Sequence, residues 1–159
     1  MAGKQFVTLL IFLFFFGNLA FGQEEYLRIE ASVSPKNIAQ GTEGLLKIKI
    51  TPKSGIKISS NPEFMIRLDQ NGNLSFPKIF FVGSELNFPT SQENSGIFLD
   101  LQKEIEIPFK VSETALLGKH TLSGEIIYTA LIEDNWYIKT FQKFNTGFVS
   151  KKNSQVKRK

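Results

Sequence analysis

In 159 residues this chain has no cysteine, one histidine, one tryptophan and two methionines. Each scarcity excludes something. Without a thiol there is no disulfide, no reactive thiolate and no cysteine metal site. A lone His120 has no second imidazole to share a metal with, and the carboxylates are scattered, so no zinc or copper site can be assembled from sequence. As a general base, His120 would need a nucleophile and an orienting group beside it; a single histidine in a strand reads as structural. There is no Gly-rich phosphate loop and no internal repeat, and no stretch keeps an apolar face at helical spacing. No enzyme class and no cofactor is indicated.

What is present is apolar residues, 42% of the chain, enough for a buried core and too many for a disordered chain. Several of the sixteen phenylalanines sit in a leader, Met1 to Gly22. Lys4 precedes an apolar run from Phe6 to Phe16, and Ala20-Phe21-Gly22 offers small residues for cleavage before Gln23. An uncleaved anchor is the other reading, but a spanning helix needs about twenty apolar residues and Gly17-Asn18 interrupts this run. No cysteine lies near the cleavage point, which excludes a lipid-anchored lipoprotein. The mature chain is expected in the periplasm or outside the cell.

The net charge of +4 is unevenly placed. Lys151, Lys152, Lys157, Arg158 and Lys159 supply five cations in the last nine residues, and Lys4 belongs to the leader. Residues 23–150 therefore carry four less one less five, or −2. The expected division is a leader over 1–22, a domain over 23–150 and a basic disordered tail over 151–159. A solvated tail is the plain reading; weak contact with an anionic surface is the functional one. Nucleic acid is not expected, since the tail has no aromatic residues interleaved with its cations.

Between leader and tail the chain alternates at period two. Leu27, Ile29, Ala31 and Val33 form one apolar face, then Leu46, Ile48 and Ile50, then Ile56 and Ile58. Phe64 to Leu68 follows, closed by the Asn71-Gly72 turn signal. Phe76 to Val82, with Pro77, reads as an edge or irregular strand. Gly83 to Gly96 is polar and reads as the longest loop. Ile97, Leu99 and Leu101 open another strand. Ile105, Ile107, Phe109 and Val111 give the cleanest alternation, with Pro108 marking an edge or a bulge. Ser112 to Leu117 reads as a link with a helical turn. Short strands at such spacing predict an all-β fold, an immunoglobulin-like antiparallel β-sandwich.

The last element is the longest. In Gly118 to Phe144, His120, Leu122, Gly124, Ile126 and Tyr128 share one face of a strand, and Glu133-Asp134-Asn135 supplies a polar turn. Those two carboxylates read as solvated turn formers rather than a catalytic pair. In the return strand, Trp136, Ile138 and Thr140 alternate with Tyr137, Lys139 and Phe141, and neither face is clearly apolar.

The run G-x-I-I-Y-T-A-L-I-E-D-N-W-Y resembles the final hairpin of the N-terminal periplasmic domain of the thiol:disulfide interchange protein DsbD, which reads roughly G-x-L-x-Y-Q-A-C and then C-x-P-P. Gly124, Tyr128 and Ala130 match. The two family cysteines fall on Leu131 and Trp136, and Tyr137-Ile138 replaces the proline pair. Upstream, Gly55 to Pro62 resembles the family's G-x-H-I-x-S-x-N-P, with Lys57 in place of the histidine. The resemblance covers most of the chain after residue 27 and implies the same sandwich, with its redox pair lost.

On that resemblance, a loop bearing Phe88 caps the position of the cysteine pair, and Leu131, Trp136, Tyr128 and Phe88 surround it. Two readings of Leu131 and Trp136 stand. They are core residues whose apolar contact offsets a missing disulfide, about 2–4 kcal/mol, or Trp136 anchors a protein partner. The function expected is an exported, non-catalytic interaction module that binds an envelope protein. The alternative is an accessory docking component of a thiol-exchange or cytochrome-assembly system whose thiols lie on another chain.

Overall fold

A computed structural model describes residues 24–133 and 135–153. The leader, Asp134 and residues 154–159 lie outside the described part, and with them the expectations placed there. The described chain is an all-β, immunoglobulin-like sandwich built from the alternation visible in the sequence.

One sheet is formed by β1 (Leu27–Ser34), β3 (Glu43–Pro52), β10 (Ile105–Val111) and β6 (Leu74–Ser75), in that order. The other runs β2 (Asn37–Ala39), β12 (Trp136–Lys151), β11 (Gly118–Ile132), β5 (Met65–Leu68) and β7 (Phe80–Val82), with β4 (Ile56–Ile58) also paired to β11. All pairings are antiparallel except that of β2 with β12. Apolar residues of both inner faces meet between the sheets, among them Leu46, Ile48 and Phe109 from one and Ile66, Ile126 and Tyr128 from the other. Each large side chain fully removed from water there contributes about 1.5–3 kcal/mol.

The β11–β12 hairpin forms as expected and extends beyond Phe144 to Lys151. Its turn closes with Asn135 N–H donating to the Ile132 carbonyl at 3.3 Å, and Glu133 adopts a positive φ of 51°. The ambiguity of the return strand resolves along its length. Phe144, Thr146, Phe148 and Ser150 are buried, whereas Trp136 to Lys139 are exposed, because the hairpin runs out past the opposing sheet. Gln142 marks the border: its side-chain amide donates to the Leu27 carbonyl at 2.9 Å and its oxygen accepts from Leu27 N–H at 3.4 Å.

Among the described strands Pro108 lies at an edge, since β6 pairs β10 only at Lys110 and Val111. The His120 ring stacks on Phe148 at 5.2 Å, and its Nε2–H donates to the Leu116 carbonyl at 2.6 Å.

Other expectations are corrected. Residues 83–96 are not one long loop. They form a single-turn helix α1 (Gly83–Leu86) and then β8 (Thr90–Glu93), which pairs with β9 (Gly96–Leu99) as a small separate hairpin. Every residue of β8 is exposed, so no apolar alternation announces it. In β9 the buried residue is Phe98, and Ile97 points to solvent. Residues 76–82 yield only β7, with β6 ending before them. The link before β11 holds a hydrogen-bonded turn, Ala115 N–H to the Ser112 carbonyl at 3.1 Å, rather than a helical one. The basic segment does not leave the fold at Ser150: Lys151 completes β12, and Asn153 donates to the Gln40 carbonyl at 3.2 Å.

Candidate functional site

Strand register at the hairpin tip sorts its side chains onto two faces. Ile56, Ile132 and Trp136 lie directly across from one another on β4, β11 and β12, and so do Ile58, Ala130 and Ile138. These two rows continue the core-facing side of the sheet. Lys57, Leu131 and Tyr137 form a row on the opposite side.

Leu131 and Trp136 therefore do not share a face, and the contact expected between them in place of a disulfide is absent. Leu131 is 1% exposed and Trp136 is 69% exposed. Leu131 supplies about the burial of any core leucine; Trp136 contributes little to the fold.

The outer row is roofed by the β8–β9 hairpin. Phe98 makes an isolated bridge to Ser59, and Ser60 N–H donates to the Ile97 carbonyl at 2.9 Å. The Tyr137 hydroxyl donates to the Ser95 carbonyl. Lys57 pairs with Glu93 at 2.5 Å and lies 5.6 Å from the Phe98 ring centre. Phe98 and Leu131 are both buried yet stand outside the main core cluster, as expected of a satellite cluster under a strap. Ser59, Ser60, Asn61, Pro62, Ile97 and Tyr137 line a cleft of about 450 Å³ beside these contacts.

Phe88 does not cap the tip. It is 8% exposed and packs edge-on against Phe64, centroids 5.5 Å apart. Residues 95–98, a few positions later, do the covering. Tyr128 is buried in the main core, where burial chiefly raises its phenol pKa above the ordinary value, and its hydroxyl lies 3.4 Å from Gln142 Oε1. Of the four residues expected to surround one site, Tyr128 is buried in the main core and Leu131 on the opposite face under the strap, Phe88 packs against Phe64, and Trp136 alone is open to solvent.

The residues that accompany Trp136 are its neighbours Tyr137 and Ile138, both partly exposed, and Lys139. Aromatic alternation in the return strand was visible in the sequence. Its exposure was not, because it depends on where the other sheet ends. Among the described residues, β2 is the strand on the outer side of β12, and it reaches only Val149 to Lys151. From Trp136 to Phe148, β12 is a sheet edge with respect to the described strands. Among the described residues no three His, Cys, Asp or Glu side chains gather where they could hold a metal ion.

No protein-family model matches the chain. No curated protein matches it. Among solved structures it is similar to that of BcpA*, the major pilin subunit of Bacillus cereus, at 12% identity and a TM-score of 0.46. That match covers 80% of this chain and 41% of the pilin, so the chain spans less than half the pilin's length. A likeness at that level says nothing about function.

Proposed function

We propose that this domain is an exported, non-catalytic protein-interaction module, a redox-inactive relative of the DsbD N-terminal domain, and that its binding element is the tip of the β11–β12 hairpin. The observation that carries this reading is the 69% exposure of Trp136, beside Tyr137 and Ile138, on a strand edge. Exposed tryptophan adds nothing to the core, and tryptophan and tyrosine are enriched among the residues that dominate binding energy in protein interfaces. Near Trp136 to Lys139, where no described strand pairs with the outer side of β12, a partner could also meet main-chain donors and acceptors.

The test compares affinity capture from the cell-envelope fraction by the wild type, Trp136→Ala and Leu116→Ala. Leu116, 75% exposed, lies in the link before β11, at the other end of the hairpin, and serves as the control. A specific protein retained by the wild type and Leu116→Ala but lost with Trp136→Ala supports the module. Equal capture by all three overturns it. A thioredoxin-like protein as the retained partner would assign the domain to the accessory docking role.

A further inference from the structure

At the end of the sandwich away from the hairpin tip, the link before β11 holds two leucines out in solvent. Leu116 is 75% exposed and Leu117 58%, while Ala115 before them is buried. The backbone there is held in place. The Gln40 side-chain amide donates to the Ala115 carbonyl at 2.6 Å, and His120 Nε2–H holds the Leu116 carbonyl. Gln40 N–H also donates to the Lys151 carbonyl at 2.9 Å, and its own carbonyl accepts from Asn153. Gln40 thus ties the leucine link to the basic end of β12.

Cations gather at this end. Gly118 opposes Ser150 and Lys119 opposes Val149, so Lys119 and Lys151 are diagonal neighbours on one side of the sheet. Lys152 follows, and Lys36 donates to the Gly147 carbonyl at 3.4 Å. All four lysines are exposed, and none is ion-paired among the described residues. The link's own acid is Glu113; Glu43, at the start of β3, faces Lys110 across the sheet. Lys157, Arg158 and Lys159 follow Asn153 within six residues, a length that keeps them within about 21 Å of it.

We infer that this end seats the domain on an anionic lipid bilayer, with Leu116 and Leu117 entering the headgroup boundary and the cations resting against lipid phosphates. The inference goes beyond the partner proposed for the hairpin tip, which lies about 45 Å away along β11. Apolar insertion and electrostatic attraction add in such binding, and a backbone already held loses little freedom on docking. The residue types argue against a protein partner here: leucine is under-represented among interface hot spots and lysine is depleted from interfaces. A second copy docked about a twofold axis at this end would set these cations against their own counterparts, and like charges so placed oppose association.

The experiment floats the purified protein, its leader removed so that the Phe6 to Phe16 run cannot insert, with vesicles of phosphatidylcholine alone or mixed equally with phosphatidylglycerol. The protein is expected to bind the mixed vesicles about tenfold more tightly, and less so as salt rises. Leu116→Ser/Leu117→Ser and Lys119→Glu/Lys151→Glu are each expected to weaken that binding about tenfold, while Ile97→Ser, at an exposed position of the strap, leaves it unchanged. Because the chain has no cysteine, a polarity-sensitive dye attached through Leu117→Cys reports on that position alone. Its emission is expected to shift to the blue on the mixed vesicles, and that of the same dye attached through Ile97→Cys to stay constant. Equal binding to both vesicles, binding to neither, or equal shifts from the two dye positions would overturn the inference. So would undiminished binding by Leu116→Ser/Leu117→Ser, which would mark a site for any polyanion, or a shift at position 117 that follows protein concentration without lipid, which would mark a second copy. Capture of a detergent-solubilised partner reports on the hairpin tip alone, so Leu116→Ala remains its control, and failure on vesicles leaves the interaction reading standing.

Discussion

Gly124 shows how closely a single residue is tied to the hairpin's packing. A Cβ placed there would lie 2.5 Å from the Arg67 carbonyl oxygen and 2.8 Å from the Phe144 ring. The backbone atom cannot yield without breaking the β5–β11 pairing, which sets Gly124 against Leu68. At Gly44 the obstructions are the tips of Ile38 and Phe109, at 2.5 and 2.7 Å, both side-chain atoms. Gly124→Ala is therefore expected to lower unfolding stability by about 1–3 kcal/mol or more, and Gly44→Ala by less, in denaturant titrations of the two variants. A larger loss at Gly44 would mean the contacts at Gly124 relax. Gly124 was legible in the sequence only as a match to another family's motif; its reason lies in Arg67 and Phe144, distant along the chain.

At the scale of elements, the two hairpins contrast. For β11 and β12 the sequence carried most of what was needed: period-two alternation from His120 to Tyr128 and a turn at Glu133 to Asn135. What it lacked was the register, and register decides which side chains meet. Leu131 opposes Tyr137, and Ile132 opposes Trp136. Cα atoms of directly opposed antiparallel residues are about 4.5–5.5 Å apart, inside the range a disulfide spans. Leu131→Cys with Tyr137→Cys is expected to oxidise to an intramolecular disulfide, whereas Leu131→Cys with Trp136→Cys is expected to remain reduced, by thiol titration and mass. The opposite outcome would place the register one residue off. For β8 the sequence carried almost nothing, and for β9 it announced a strand at Ile97 and Leu99 but put the wrong face inward, since Phe98 is the buried residue. A strand exposed along its whole length has no apolar period, and a local pairing of four residues leaves no long-range pattern.

Across the described molecule, one core is shared by both sheets, and the β8–β9 strap meets it chiefly through Leu99. That arrangement predicts two levels of protection. Amides of β3, β10 and β11 are expected to exchange only on global unfolding, and those of β8 and β9 through local opening at lower free energy, in native-state hydrogen exchange. Equal protection of the strap would show that Phe98 and Tyr137 bind it as firmly as the core. The charge distribution is also a property of the whole chain: the basic character resides in a terminal segment whose first residue, Lys151, completes β12 beside β2.

The hairpin tip is proposed to touch another protein. This contact is tested most directly by placing a photo-crosslinking amino acid at Trp136, at Lys139 and, on the opposite sheet, at Lys110, in cells that export the chain. A discrete protein adduct at positions 136 and 139 and none at 110 is the predicted result. Adducts of equal yield at all three positions, or none at the tip, would contradict it.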